Sequence, residues 1–136
     1  MDAKKTILHV EDARLWREYV MKLLGSSYEV VSCPDCIFAL NWLHNKSPDL
    51  VILDHLLPGS GPFSQGMDFC SHLKKTFPAI PVIIYTGAWF GVDTVDRQQL
   101  GQKSGAVVVF KDVRDPELDH LRARVDELLS VKRQLQ

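Results

Sequence analysis

The run Leu50-Val51-Ile52-Leu53 constrains the fold more than any other stretch of the chain. It is apolar at every position and stops abruptly at Asp54. A strand with one wet face alternates apolar and polar residues, whereas an unbroken apolar run marks a strand covered on both faces, as in a parallel sheet. Four further strand-like runs accompany it: Thr6-Ile7-Leu8-His9-Val10, Tyr28-Glu29-Val30-Val31-Ser32, Pro81-Val82-Ile83-Ile84-Tyr85 and Ala106-Val107-Val108-Val109-Phe110. Between them the apolar spacing becomes helical. Leu15, Tyr19 and Leu23 recur at helical spacing, as do Trp16, Val20 and Leu24, and Gly25 stands where a helix-ending glycine belongs. Pro34 and Asp35 open a second helix with Ile37, Leu40 and Leu43 on one side. Phe69, Leu73 and Phe77 mark a third, a polar helix is expected over residues 93–104, and a last helix starts near Pro116 with Leu118, Leu121, Val125 and Leu128 as its apolar stripe. The glycine- and proline-rich stretch from Pro58 to Gly66 is expected as loop. Strands alternating with helices predict an α/β fold: a doubly wound five-stranded parallel sheet with helices on both faces.

Composition narrows the function classes. The 136 residues suit one domain, expected over residues 1–136. Sixteen basic residues face seventeen acidic ones, for a net charge of −1, so no basic excess points to nucleic acid. No apolar run has the length of a membrane span, and the N-terminus does not read as a signal peptide, so a reducing cytoplasm is expected.

The polar residues fall where the strands stop. The first strand ends in Glu11-Asp12, the third in Asp54, the fourth in Thr86 and the fifth in Lys111. In an open parallel sheet, ligands bind beyond the carboxyl ends of the strands. Three carboxylates gathered there repel one another, and a hard divalent cation such as Mg²⁺ resolves the repulsion. Lys111 adds a cation and Thr86 a hydroxyl, so the set is suited to hold phosphoryl oxygens, with Asp54 as a nucleophile that can form an acyl phosphate. Each residue taken singly has a plainer role: Glu11-Asp12 as a helix cap, Asp54 in a turn, Thr86 as a cap, Lys111 solvated.

With these residues in order, the chain resembles the receiver domain of bacterial two-component response regulators. The resemblance is carried by Ile7-Leu8-His9-Val10-Glu11-Asp12, by Asp49 through Pro58, by Pro81 through Thr86, and by Gly105-Ala106 with Phe110-Lys111. It implies the flavodoxin-like strand order 2-1-3-4-5 and transfer of a phosphoryl group onto Asp54 from a sensor histidine kinase or phosphotransfer protein. It also implies Mg²⁺ held by Glu11, Asp12, Asp54 and the backbone carbonyl of Leu56. The expectation is a stand-alone receiver with no output domain, not an enzyme on other molecules, acting on a downstream effector by protein–protein contact. Neither nucleic acid nor membrane is expected as a partner, and a homodimer is left open.

Several positions depart from the family pattern. Asp112 follows Lys111 where proline is usual, and Val108 stands where an aromatic residue often couples phosphorylation to output. The stretch after Pro58 is longer than usual, and Trp89 and Phe90 sit in an extended loop after Thr86. Leu56 and Ala88 offer no polar side chain to orient a hydrolytic water, so slow loss of phosphate is expected. Val108 and Asp112 motivate an alternative, a receiver-like adaptor that works without phosphorylation. A third reading, from another class, is a thiol–disulfide oxidoreductase using Cys33 and Cys36 of the motif Cys33-Pro34-Asp35-Cys36. It leaves the carboxylates and Lys111 unexplained. The five histidines show no metal-ligand spacing.

Overall fold

The structure, a computed structural model, describes residues 4–54, 58–60, 63–86, 106–111 and 120–134. The strands are β1 (Thr6–Val10), β2 (Glu29–Cys33), β3 (Leu50–Leu53), β4 (Pro58–Ser60), β5 (Phe63–Gln65), β6 (Val82–Thr86) and β7 (Val107–Phe110). The helices are α1 (Arg14–Leu24), α2 (Cys36–Leu43), α3 (Gly66–Thr76) and α4 (Leu121–Gln134). Five strands form one sheet in the order β2-β1-β3-β6-β7, every neighbouring pair parallel. This is the expected order 2-1-3-4-5, and β3 coincides with the apolar run Leu50–Leu53.

Strand alternation sorts the core into two layers. Ile7, Leu50, Ile52, Ile83, Tyr85 and Val109 face Val20 and Leu24 of α1 and Leu121, Val125 and Leu129 of α4. Leu8, Val10, Val51, Leu53, Val82 and Ile84 face Cys36, Ala39 and Leu43 of α2 and Phe69, Cys70 and Leu73 of α3. All four residues of β3 are buried because both its faces are covered.

The helices settle which apolar stripe wins. In α1 it is Trp16, Val20 and Leu24; Leu15, an equal candidate by spacing, is 79% exposed. In α2 the buried face is Cys36, Ala39 and Leu43, while Ile37 lies on the exposed side. Leu43 and Leu40 of the expected stripe do meet the core, and only Ile37 departs from it; Asp35 caps the helix as expected, its side chain accepting from the Phe38 N–H at 2.8 Å. In α4, Leu129 rather than Leu128 completes the fully buried stripe with Leu121 and Val125. Gly25 caps α1 in the right-handed region (φ −66°, ψ −20°), so the left-handed helix-ending role is not the one it plays.

The stretch from Pro58 to Gly66 is not simply loop. β4 and β5 pair antiparallel, with Pro58 opposite Gln65 and Ser60 opposite Phe63, and α3 begins directly after β5. Glycine and proline in the connection favour such a reversal, and Pro58 stands at the first strand position, where its missing N–H is tolerated. The expected helix over residues 93–104 and the start of the last helix near Pro116 lie outside the described residues. No helix among the described residues is long and apolar enough to cross a membrane.

Candidate functional site

The sheet's hydrogen-bond ladder runs one residue past the strands. The Glu11 N–H donates to the Cys33 carbonyl at 2.9 Å, and the Asp54 N–H donates to the Val10 carbonyl at 3.1 Å. Glu11 and Asp54 are thereby fixed side by side at the carboxyl ends of β1 and β3. Alternation assigns Glu11 to the face of Ile7, Asp54 to that of Ile52 and Lys111 to that of Val109, all toward α1 and α4.

One carboxylate oxygen from each of Glu11, Asp12 and Asp54 lies within 4.8 Å of the others. Glu11 and Asp54 are buried, and Asp12 is exposed at the rim. The Lys111 Nζ donates to Glu11 Oε1 at 2.6 Å and stands 3.9 Å from Asp54 Oδ2. The sequence pointed to Lys111 as a phosphoryl ligand; in the structure its ammonium first donates to Glu11. Glu11 Oε2 is buried and has no hydrogen-bond partner. Burial pushes the Glu11 carboxyl up, to about 8; the Asp54 carboxyl adds to the rise and Lys111 opposes it. A buried acceptor without a donor, on a carboxyl that burial and the neighbouring Asp54 push up, within a cluster of hard oxygen ligands, fits a divalent cation such as Mg²⁺.

Helix capping does not account for these carboxylates. The N-cap of α1 is Ala13, with no side-chain cap hydrogen bond. Arg17 Nη1 instead ties down the β1–α1 turn, donating to the carbonyls of Glu11 at 2.8 Å and Asp12 at 3.0 Å. The sequence reading passed over Arg17, although its place one turn into the helix was visible. It passed over two aromatic residues as well. The Lys111 ammonium lies 4.6 Å from the Trp16 ring centroid and 5.5 Å from that of Tyr85. Both rings were legible only as core residues, because the lysine they meet is remote in the chain.

Thr86 ends β6 opposite Phe110, one residue before Lys111, so its backbone reaches the same edge. Leu56, His55, Ala88, Trp89, Phe90 and Asp112 lie outside the described residues. Val108 is half-buried against the layer that holds α2 and α3. His9, two residues before Glu11, is buried and its Nδ1 has no partner; burial, with Lys111 adding, lowers its imidazole to about 3.

Cys33 and Cys36 are both buried, and neither forms a disulfide. Burial, with Asp35 adding, raises the Cys33 thiol to about 11, the opposite of the activation a redox cysteine needs. Cys33 ends an inward-facing strand position and Cys36 supplies core to α2, so the motif is built into packing rather than into an oxidoreductase site.

Comparison with known proteins gives the family. Residues 7–123 match the response regulator receiver domain family. Response regulator MprA of a Mycobacterium species (strain KMS) is 31% identical over 101 residues, which are 74% of this chain and 40% of MprA. The chain thus spans about two-fifths of that relative's length. Among solved structures, a response regulator receiver domain protein from Clostridium thermocellum superposes with a TM-score of 0.77 at 26% identity, covering 97% of this chain and 99% of that one. Response regulator TrrA from Thermotoga maritima, in complex with Mg²⁺-BeF, gives 0.71 at 26% identity, covering 91% and 98%. With the strand order, the acidic cluster and the match over residues 7–123 in agreement, the chain belongs to the response regulator receiver domain family.

Proposed function

We propose that this chain accepts a phosphoryl group on Asp54 in a phosphorelay and signals by protein–protein contact. One observation carries the reading: Asp54 stands at the carboxyl end of the central strand with Glu11 and Asp12 within 4.8 Å and Lys111 at 3.9 Å. An Asp54 carboxylate oxygen attacks the phosphorus of a phosphohistidine on a sensor histidine kinase or phosphotransfer protein. The new O–P bond forms as the N–P bond breaks, and the imidazole nitrogen keeps the electron pair and takes a proton from solvent. Lys111 neutralises one phosphoryl oxygen and Thr86 donates to another. Glu11, Asp12, Asp54 and the Leu56 carbonyl would hold Mg²⁺, which when bound supplies positive charge to the phosphoryl oxygens. The Mg²⁺-BeF complex of TrrA supports this assignment.

On this reading the chain is a phosphoacceptor and not an enzyme acting on other molecules. It works in the cytoplasm, where its donor and effector proteins meet it. A second reading, a receiver that docks its effector without phosphorylation, is favoured by Val108, a small, half-buried side chain where the family often has an aromatic one.

Amide spectra of the wild type and Asp54→Asn, with Mg²⁺ and beryllofluoride, separate the two. Shifts around Glu11, Asp54 and Lys111 in the wild type alone support phosphoryl acceptance. Identical spectra for both proteins reject it and leave the adaptor reading.

A further inference from the structure

Lys111 has a problem that charge does not solve. An ammonium on a four-carbon stem has many rotamers, and a carboxylate attracts it from any direction. Glu11 at 2.6 Å supplies attraction but leaves the approach open. Two aromatic rings close it. The Trp16 and Tyr85 centroids lie 4.6 and 5.5 Å from the ammonium, both inside the reach of about 6 Å over which a ring face attracts a cation. The rings brace each other edge to face, with centroids 5.9 Å apart and planes at 90°. Trp16 is further held against Tyr19, at 5.5 Å and 84°. Lys111 is only 8% exposed, so water screens these contacts little.

We infer that Trp16 is a positioning residue for Lys111: with Tyr85 it holds the ammonium at the carboxylate cluster, so a side chain of α1 sets where the phosphoryl group meets its positive partner. The inference rests on Asp54 being the phosphoacceptor. Packing alone would be served equally by an aliphatic side chain; an attraction to the cation beyond that of Glu11 needs a π face. The lysine that neutralises the phosphoryl group therefore depends on a residue outside the carboxylate cluster.

Two measurements on the 136-residue chain test this. The first is the rate of Asp54 phosphorylation by acetyl phosphate with Mg²⁺, for the wild type, Trp16→Phe and Trp16→Leu, each with and without Lys111→Met. Trp16→Leu is expected to slow the reaction on the order of tenfold, the scale of one desolvated cation–π contact, while Trp16→Phe stays within about twofold. In the Lys111→Met background Trp16→Leu is expected to add nothing. The second is the NMR position of the Lys111 ε-methylene, expected upfield by ring current in the wild type and Trp16→Phe and moved back downfield in Trp16→Leu, to the smaller shift that Tyr85 alone leaves. Equal slowing in both backgrounds, or no upfield shift in the wild type, overturns the inference. A wild type that shows the shift but takes no phosphoryl group overturns the reading of Asp54 and supports the Trp16–Lys111 placement. The wild-type shift requires no variant to fold.

Discussion

Acidifying this protein should expose the cost of burying His9. Its imidazole lies in the interior on β1, with Nδ1 unpartnered, and burial lowers it from 6.5 to about 3. The folded chain therefore keeps His9 neutral while the unfolded chain protonates it. The folded value lies below the unfolded one, so this stability is whole above pH 6.5 and drains away as pH falls from 6.5 toward 3. At pH 5 the linkage has run for about 1.5 pH units, a loss of about 2 kcal/mol relative to pH 8. Glu11 works the other way. Its carboxyl is raised, so it favours the folded state below about pH 8 and stops gaining below 4.5. Between pH 6.5 and 4.5 the two oppose each other, and the wild type should lose little stability until the pH falls below that window. Replacing His9→Leu removes one arm and keeps an apolar side chain in the core. Urea titrations of both proteins in a chelating buffer, from pH 8 to pH 4, isolate His9 as the difference between the curves. At pH 8 the leucine variant should match or exceed the wild type, by about 1 kcal/mol, because an unsatisfied buried nitrogen is gone. Its advantage should then widen by about 1.4 kcal/mol per pH unit below 6.5. Parallel curves across that range would show that His9 does not stay neutral in the fold, and the reasoning would fail.

Lys111→Met should strip the buried Glu11 of its cation, so the variant loses about 3 kcal/mol at pH 8 and less at pH 6, where Glu11 holds a proton. Denaturant midpoints at the two pH values check the sign, and equal losses at both would contradict it. Asp35→Ala removes the cap that accepts from the Phe38 N–H and should lower stability by about 1 kcal/mol, with a matching drop in the urea midpoint.

The strands were the most legible part of the chain. Leu50–Leu53 needed no context, because an unbroken apolar run has one comfortable place in a parallel sheet. The polar residues closing four of the five sheet strands were equally plain, and the sheet brought Glu11, Asp12, Asp54 and Lys111 to one edge. Helical faces were less legible. Leu15 and Trp16 head stripes of equal apolar spacing, and only the sheet beneath α1 chose Trp16. The β4–β5 pair was missed because glycine and proline signal a reversal without saying whether its arms pair.

The alternation of buried strands with helices and the kinds of chemistry at the strand ends could be read from the chain, because both rest on local pattern. What those groups do to one another came from the fold. Glu11 and Lys111 are 100 residues apart in the chain and 2.6 Å apart in the fold. The same is true of the burial that raises Glu11 and quiets Cys33, and of the rings of Trp16 and Tyr85 around the ammonium. Charge, solvation and π contacts act through space, and chain spacing does not record the distances on which they depend.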